Sequence, residues 1–593
     1  MLPWRLKFCR FVSVLCTVAG ILGNIRAEAD IQTLISNAIR QKAPEVVIPP
    51  GVYKVQPASG GRVHLQVKDA SNLTIKAEGV TLLCGKRTMA MEFVSCKNVR
   101  LQGLTIDYEP LCFTQGEVVR IADDRSWIDV QLDAGYPREP FSRIDLIDRV
   151  TRFRKRGMPF LWGAKAEMVG ESTVRVFRDG IGKAAALGDL ASLSTGPDPG
   201  GAPHGLTITA SSDMTFEDVT VHSAPGFGIF ESAGQGGSTF RRCSVTPGPP
   251  PTGATSERLL SSSWDAMMTA AVRKGPIVED CRIEKAGDDS WSVQSTDYLV
   301  LAVDGTRAII ASRQPYDVFP QVGERLVTGL TSPEAVVASL RPVNLDQVSL
   351  GAGTRDKIKA AKPWEVWGVS AKVFEVTAKD SFPFPVGQNL YNPDRQCNGF
   401  VFRNNHLHNS GRILIKASDG VIEGNDIKDG HAGVTIAPEY PGAIGGVRNV
   451  VIRNNRFVGT GYFCPAPWSG QAGCISLSGQ GSIDAPTFRD IVIEKNYFED
   501  FNGPGIVIVS AAGVRIADNL FRNVMSETPN PTGQDLGIDG GALIWVSRSS
   551  DLTITGNRVV RPGAFFRQKV VWNEAESDSV ATLESGIVIE RGD

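Results

Sequence analysis

The sequence contains no CxxC pair, no HExxH and only six histidines, so it offers no zinc ribbon, thioredoxin motif or zinc-hydrolase helix. It has no surplus of positive charge. Its 62 Lys and Arg stand against 64 Asp and Glu, a net charge of −2, so the basic footprint of a nucleic-acid binder is missing. Charged residues make up 21% and hydrophobic residues 42%, which excludes both a disordered tail and a multi-span membrane protein. What the chain does have is turns and length. With 62 Gly and 35 Pro in 593 residues, it is too long for one ordinary core but within reach of an extended all-β architecture.

The N-terminus reads as an export signal spanning residues 1–29. Arg5, Lys7 and Arg10 form a positive start, residues 11–22 are apolar, and Ala27-Glu28-Ala29 has the small-x-small form of a cleavage site. The apolar run is shorter than the ~18 residues a membrane span needs. The expectation is an exported protein, periplasmic or secreted, with no membrane span after signal removal. That compartment permits disulfides. Cys464 and Cys474 are the nearest remaining cysteines, and their spacing alone does not pair them.

Asp30 can cap a short helix bearing Ile31, Leu34, Ile35, Ala38 and Ile39 at helical spacing. A helix there would cover the open end of a stack of strands. Further on, a unit recurs: apolar-x-apolar, a short polar turn with Asn, then another apolar-rich strand. It appears as Val401-Phe402-Arg403-Asn404-Asn405-His406-Leu407, as Val451-Ile452-Arg453-Asn454-Asn455-Arg456-Phe457, and around Asn425, Asn496, Asn519 and Asn557. Short periods carried by strands, with no alternating helices, predict a β-solenoid, and Asn suits a left-handed corner.

Two stretches break the repeat with strands of alternating polarity, Glu117-Val118-Val119-Arg120-Ile121 in one and Lys372-Val373-Phe374-Glu375-Val376 in the other. The fold expected is all-β, a right-handed parallel β-helix with two inserted small β-barrel-like domains. An N-terminal cap and first coils occupy 30–111, an insertion 112–200, coils carrying an acid cluster 201–297, a second insertion 298–397, and C-terminal coils 398–593.

The acids are the sharpest feature. Asp265 lies 23 residues before Asp288-Asp289, close to one coil, so it is expected beside one of the pair at about 4.7–4.9 Å between strands. Adjacent strand residues face opposite ways, and Gly287 could supply the bend that brings both acids to one groove. Clustered carboxylates suit cleavage of a glycosidic bond, since mutual repulsion keeps a proton on one while another activates water. A carboxyl separation of about 6.5–9.5 Å would imply inversion and about 5–5.5 Å retention, and spacing in the sequence does not choose between them.

With these segments in view, the sequence resembles glycoside hydrolase family 110, exported α-galactosidases that act on terminal α-1,3-linked galactose. The resemblance is carried by Leu104-Thr105-Ile106-Asp107-Tyr108-Glu109-Pro110 before Phe113-Thr114-Gln115-Gly116, and by Arg258-Leu259-Leu260-Ser261 before Trp264-Asp265. Gly287-Asp288-Asp289, the segment from Arg412 to Ser418, and Ala437-Pro438-Glu439 complete it. It implies a β-helix with inserted barrels and an inverting, metal-independent, exo-acting mechanism with Asp265, Asp288 and Asp289 as its catalytic carboxylates. The chain departs from the family's pattern in the Ser-Trp-Asp-Ala-Met-Met context of Asp265 and in Tyr440-Pro441-Gly442 after Glu439.

Around the acids, Arg412 and Lys416 are placed two coils on, where they could bind sugar hydroxyls or hold a carboxylate ionised. Glu439, after an apolar strand, could reach the same groove. Trp264 and Trp291 could stack on a sugar, or lie in the core. No cofactor and no metal are expected, the partner is a glycan with terminal galactose, and homo-oligomerisation stays open. Three other readings share the scaffold: a polygalacturonase-like hydrolase, disfavoured by the absence of a Gly-His-Gly motif, a Ca²⁺-dependent polysaccharide lyase, and a non-catalytic glycan-binding solenoid.

Overall fold

The structure is a computed structural model describing residues 30–57, 61–156, 158, 161, 163–194, 204–312, 318–351, 353–356, 372–438, 445–462, 468–529, 533–574 and 577–590. The export signal, Cys464 and Glu439 lie outside the described residues.

The repeat folds as a parallel β-helix. One coil runs Val401–Arg403, His406–His408, Ile413–Ile415, and the next runs Gly420–Glu423, Asp426–Lys428, Val434–Ile436. Each strand pairs in parallel with its counterpart one coil on. Two strands of each coil join a 23-stranded sheet and the third joins a 12-stranded sheet. Alternate residues of every coil therefore point inward, and the interior is a continuous apolar stack running from Ile35 to Ile587.

The recurrent Asn residues form a ladder along one corner. Asn405, Asn425, Asn455, Asn496 and Asn519 each donate backbone N–H and side-chain N–H to the Oδ1 of the next Asn at 2.8–3.0 Å, ending on Asn557. All six are buried, and each second amide hydrogen goes back to a carbonyl of the preceding coil. The left-handed corner expected of these residues belongs to the residue before each: Asn404, Gly424, Asn454, Lys495, Asp518 and Gly556. The ladder Asn is kept because it satisfies buried backbone groups that an apolar residue would orphan.

Helix Ile31–Gln41 caps one end. Asp30 accepts from Gln32 N–H, and Ile31, Ile35 and Ala38 are buried against the first coil. The Gln32 side chain pairs with the backbone of Gln66 in both directions, satisfying part of an open strand edge. A second helix, Ser577–Ser585, lies at the other end with its own Leu583 buried.

Both interruptions are antiparallel. The first holds six strands between Phe113 and Ser194 around its own apolar core. It curls shut where Ile144 N–H donates to Leu161 O at 3.3 Å and Ala164 N–H to Ser142 O at 2.7 Å. The second holds six strands between Asp297 and Tyr391, with a separate core. It closes through Val327 and Tyr391, which exchange backbone hydrogen bonds at 3.0 and 2.9 Å.

Candidate active site

The three acids precede two neighbouring strands of the 12-stranded sheet. Met267–Ala270 pairs with Trp291–Gln294 in a register of 24, Met267 opposite Trp291. Carried back two residues, that register sets Asp265 opposite Asp289. Ala266 N–H donates to Asp289 O at 2.9 Å, and Asp288 N–H to Trp264 O at 3.3 Å. One carboxylate oxygen from each of Asp265, Asp288 and Asp289 lies within 4.8 Å of the others. Gly287 serves this convergence by close approach rather than by a left-handed bend. A Cβ there would lie 2.4 Å from Ser263 O. In the next coil, a Cβ on Gly411 would lie 1.9 Å from Asp288 O.

The cluster is graded in depth. Asp265 and Asp289 are buried, at 7% and 4% exposure, and Asp288 is half-buried. Burial, then the charges of Asp289 and Asp288, push the Asp265 carboxyl well above the usual carboxylate range, against a 2.8 Å hydrogen bond from Ser292 Oγ. Arg412 Nε donates to Asp289 Oδ1 at 2.8 Å, setting a fixed positive charge against that carboxylate. The strand Ile413–Ile415 pairs directly with Trp291–Gln294, so Arg412 and Lys416 stand one coil after Asp288 and Asp289 rather than two.

The remaining sequence-predicted residues divide. Trp264 is half-buried beside Asp265 and joins an aromatic cluster, with ring centroids 5.1 Å from Phe227 and 6.1 Å from His204. Trp291 is corrected: it is fully buried inside the coil, stacked on Phe402 at 4.5 Å, and cannot meet a sugar. Lys416 is also buried, on the outward face four residues beyond Arg412, with Nζ 3.7 Å from Asp297 at the root of the second barrel. Glu439 lies outside the described residues.

The first barrel contributes two arginines that the sequence did not reveal. Arg143, fully buried, donates to Ser263 O at 2.7 Å; burial lowers its pKa, against the charges of Asp145, Asp288 and Asp265, which favour the cation. Arg154 donates to Gly287 O at 2.8 Å and to His431 Nδ1 at 3.3 Å. His431 is held well below its usual value by burial, then by Arg154, Arg412 and Arg143, so its ring is a neutral acceptor. The segments that carry the family resemblance also meet here. Arg258 grips Asp107 with two bonds of 2.9 Å, and Leu259 N–H donates to Gln115 Oε1 at 2.9 Å, fixing the approach to Asp265. By distance, three such carboxylates could ligate a divalent cation. Arg412 on Asp289 and Arg143 nearby oppose that use, because each already supplies the positive charge a cation would bring.

Comparison with known proteins agrees with the fold and with the resemblance. Residues 394–559 match the family model described as right handed beta helix region. "Alpha-1,3-galactosidase A" of Bacteroides fragilis (strain YCH46) is 23% identical over 541 residues, 83% of each chain. "Alpha-1,3-galactosidase B" of Phocaeicola vulgatus is 23% identical over 499 residues, 78% of each chain. Over most of its length, the chain is thus similar, at 22–23% identity, to proteins named alpha-1,3-galactosidase. Among solved structures, the Family 28 exopolygalacturonase of Yersinia enterocolitica matches with 12% identity and a TM-score of 0.43, covering 91% of this chain and 74% of that one. No helix among the described residues is long and apolar enough to cross a membrane.

Proposed function

We propose that the protein is an exo-acting glycoside hydrolase that removes terminal α-linked galactose by acid–base hydrolysis, with Asp265, Asp288 and Asp289 as its catalytic carboxylates. The observation that carries this reading is the convergence of the three acids within 4.8 Å, at graded depth, on the outward face of the sheet. Close carboxylates cannot all ionise cheaply, so the cluster keeps a proton, and burial assigns it to Asp265. That proton passes to the glycosidic oxygen as its bond to the anomeric carbon breaks. Water attacks that carbon and yields its proton to an ionised member of the cluster, of which Asp288 is the most open. Trp264 beside Asp265 would cover the apolar face of the sugar, and Arg412 would take a hydroxyl while holding Asp289.

Inversion is supported by the family resemblance. The nearest-oxygen distances, shorter than either carboxyl-separation rule, do not supply it. Cleavage after residue 29, export to the periplasm or medium, and insertion boundaries near 112–200 and 298–397 complete the proposal. The test is incubation with a panel of α- and β-galactosides and pectins, followed by NMR of the first sugar released. β-Galactose appearing from an α-galactoside is the expected result. An unsaturated product absorbing in the ultraviolet would identify a lyase, and release of nothing from any glycan a binding protein.

A further inference from the structure

On the outward face of the 12-stranded sheet, beyond the acids, the C-terminal coils leave a cleft of about 370 Å³, within the size range of small-molecule sites. Its floor is built from register-matched outward positions one coil apart, Ser478, Val509 and Ser547. Its walls include the indoles of Trp468 and Trp545, with Gln471 and Gln480.

Three features define what it takes. Trp468, half-buried, offers an indole of the kind that stacks on the C–H face of a pyranose, Trp545 backs the wall from within an apolar cluster, and amide and hydroxyl groups make up the polar lining. No carboxylate lines the cleft among the described residues. Its one cation, Arg548, directs its guanidinium to the carbonyls of Gly479, Gln480 and Gly481 at 3.2–3.5 Å, so that charge serves the backbone. The chemistry is that of a neutral sugar. The cleft is also coupled to the acids. Gln471 Oε1 accepts from Arg412 Nη1, and Arg412 Nε donates to Asp289, so two hydrogen bonds join the cleft wall to the cluster.

We propose that this cleft is a leaving-group subsite, binding neutral sugar residues on the far side of the bond that the acid cluster cleaves. The substrate is then a galactose-terminated oligosaccharide or polysaccharide rather than a short galactoside. This rests on the glycosidase reading above.

The experiment compares an aryl α-galactoside, which fills the acid cluster alone, with a neutral galactose-terminated tetrasaccharide. Ser478→Phe fills the floor, and Gln480→Ala removes a wall amide without adding volume. The ratio of kcat/KM on the tetrasaccharide to that on the aryl galactoside is expected to fall 10-fold or more in Ser478→Phe and several-fold in Gln480→Ala. A ratio unchanged in both overturns the subsite. A second measurement needs no turnover: the tetrasaccharide titrated against the tryptophan fluorescence of Asp288→Asn. Saturable quenching, weakened 10-fold by added Ser478→Phe or several-fold by added Gln480→Ala, supports the subsite. No quenching, or quenching indifferent to both substitutions, rejects it. If the wild-type protein releases sugar from no galactoside, the glycosidase reading fails while this titration still decides whether the cleft holds neutral sugar.

Discussion

Glu231 is an inward-facing carboxylate in a mostly apolar wall. It sits in register between Ile208 and Thr269, with 1% exposure. Ser238 Oγ and Thr269 Oγ1 donate to it. Burial raises its pKa from 4.5 to about 7, the two hydroxyls opposing the shift. The sign follows from linkage. Between those values the folded protein holds a proton that the unfolded chain has released, so stability is greatest below the lower value and is lost as pH rises through the upper. At about 1.4 kcal/mol per pH unit, the loss between pH 5 and pH 8 comes to about 2.5 kcal/mol. Glu231→Gln keeps the shape and removes the titration. Its stability relative to wild type should therefore improve by about 2.5 kcal/mol on going from pH 5 to pH 8. With an unfolding entropy of about 2.1 cal/mol/K per residue, that is roughly 2 °C for whole-chain unfolding and more for a smaller cooperative unit. Calorimetric melts of both proteins at the two pH values test it. A difference independent of pH would show that Glu231 is ionised throughout, and the reasoning would fail.

Asp288→Asn and Asp289→Asn should each lower kcat about 100-fold or more on the released-galactose assay, with a melting temperature near wild type for the half-buried Asp288 and a lowered one for Asp289, which loses its buried ion pair with Arg412. Asp419→Asn is the control, since Asp419 is exposed, has a left-handed backbone that Asn tolerates, and accepts from Asn449, a bond an Asn oxygen can keep, so wild-type rates are expected there. Because Asp265 must be protonated to act as the donor, kcat/KM should fall as pH rises through its elevated pKa, and Asp265→Asn should abolish activity across the profile. Asn455→Ala removes four ladder hydrogen bonds and orphans the backbone N–H and one side-chain N–H of Asn425, a loss of about 2–3 kcal/mol by urea denaturation. Dialysis against a chelator should leave turnover unchanged, and loss restored by Ca²⁺ would revive the lyase.

The β-helix was readable because its Asn ladder is local: each copy shows its corner within seven residues. It faded before residue 400 for a reason the structure supplies. The ladder position is Cys281 in the coil before Asn405 and Cys243 in the coil before that, with each thiol donating to a preceding-coil carbonyl as Asn does. The acid pairing was legible to within one residue, since a register of 24 gives Asp265 to Asp289. Trp291 was left open between groove and core although the alternation held the answer: Trp291 and Val293 share the inward register of Met267 and Ile413, while Ser292 and Gln294 face out. Arg143 and Arg154 had no signal. They lie more than 100 residues from the acids and reach them only because the first barrel folds back over the coil.

That return explains why a glycosidase-like cluster sits where the repeat is broken. An uninterrupted solenoid face is open to water, and carboxylates spaced one coil apart on it would be screened and individually ionised. Here the first barrel lays Arg143 against Ser263 and Arg154 against Gly287, while the second roots at Asp297 on the strand side and packs Val318 into the apolar cluster with Phe230 and Met268. The coil thus fixes the spacing of the acids, and the insertions remove the water. Only together do they leave Asp265 buried among like charges and able to keep a proton, with Asp288 still half-exposed.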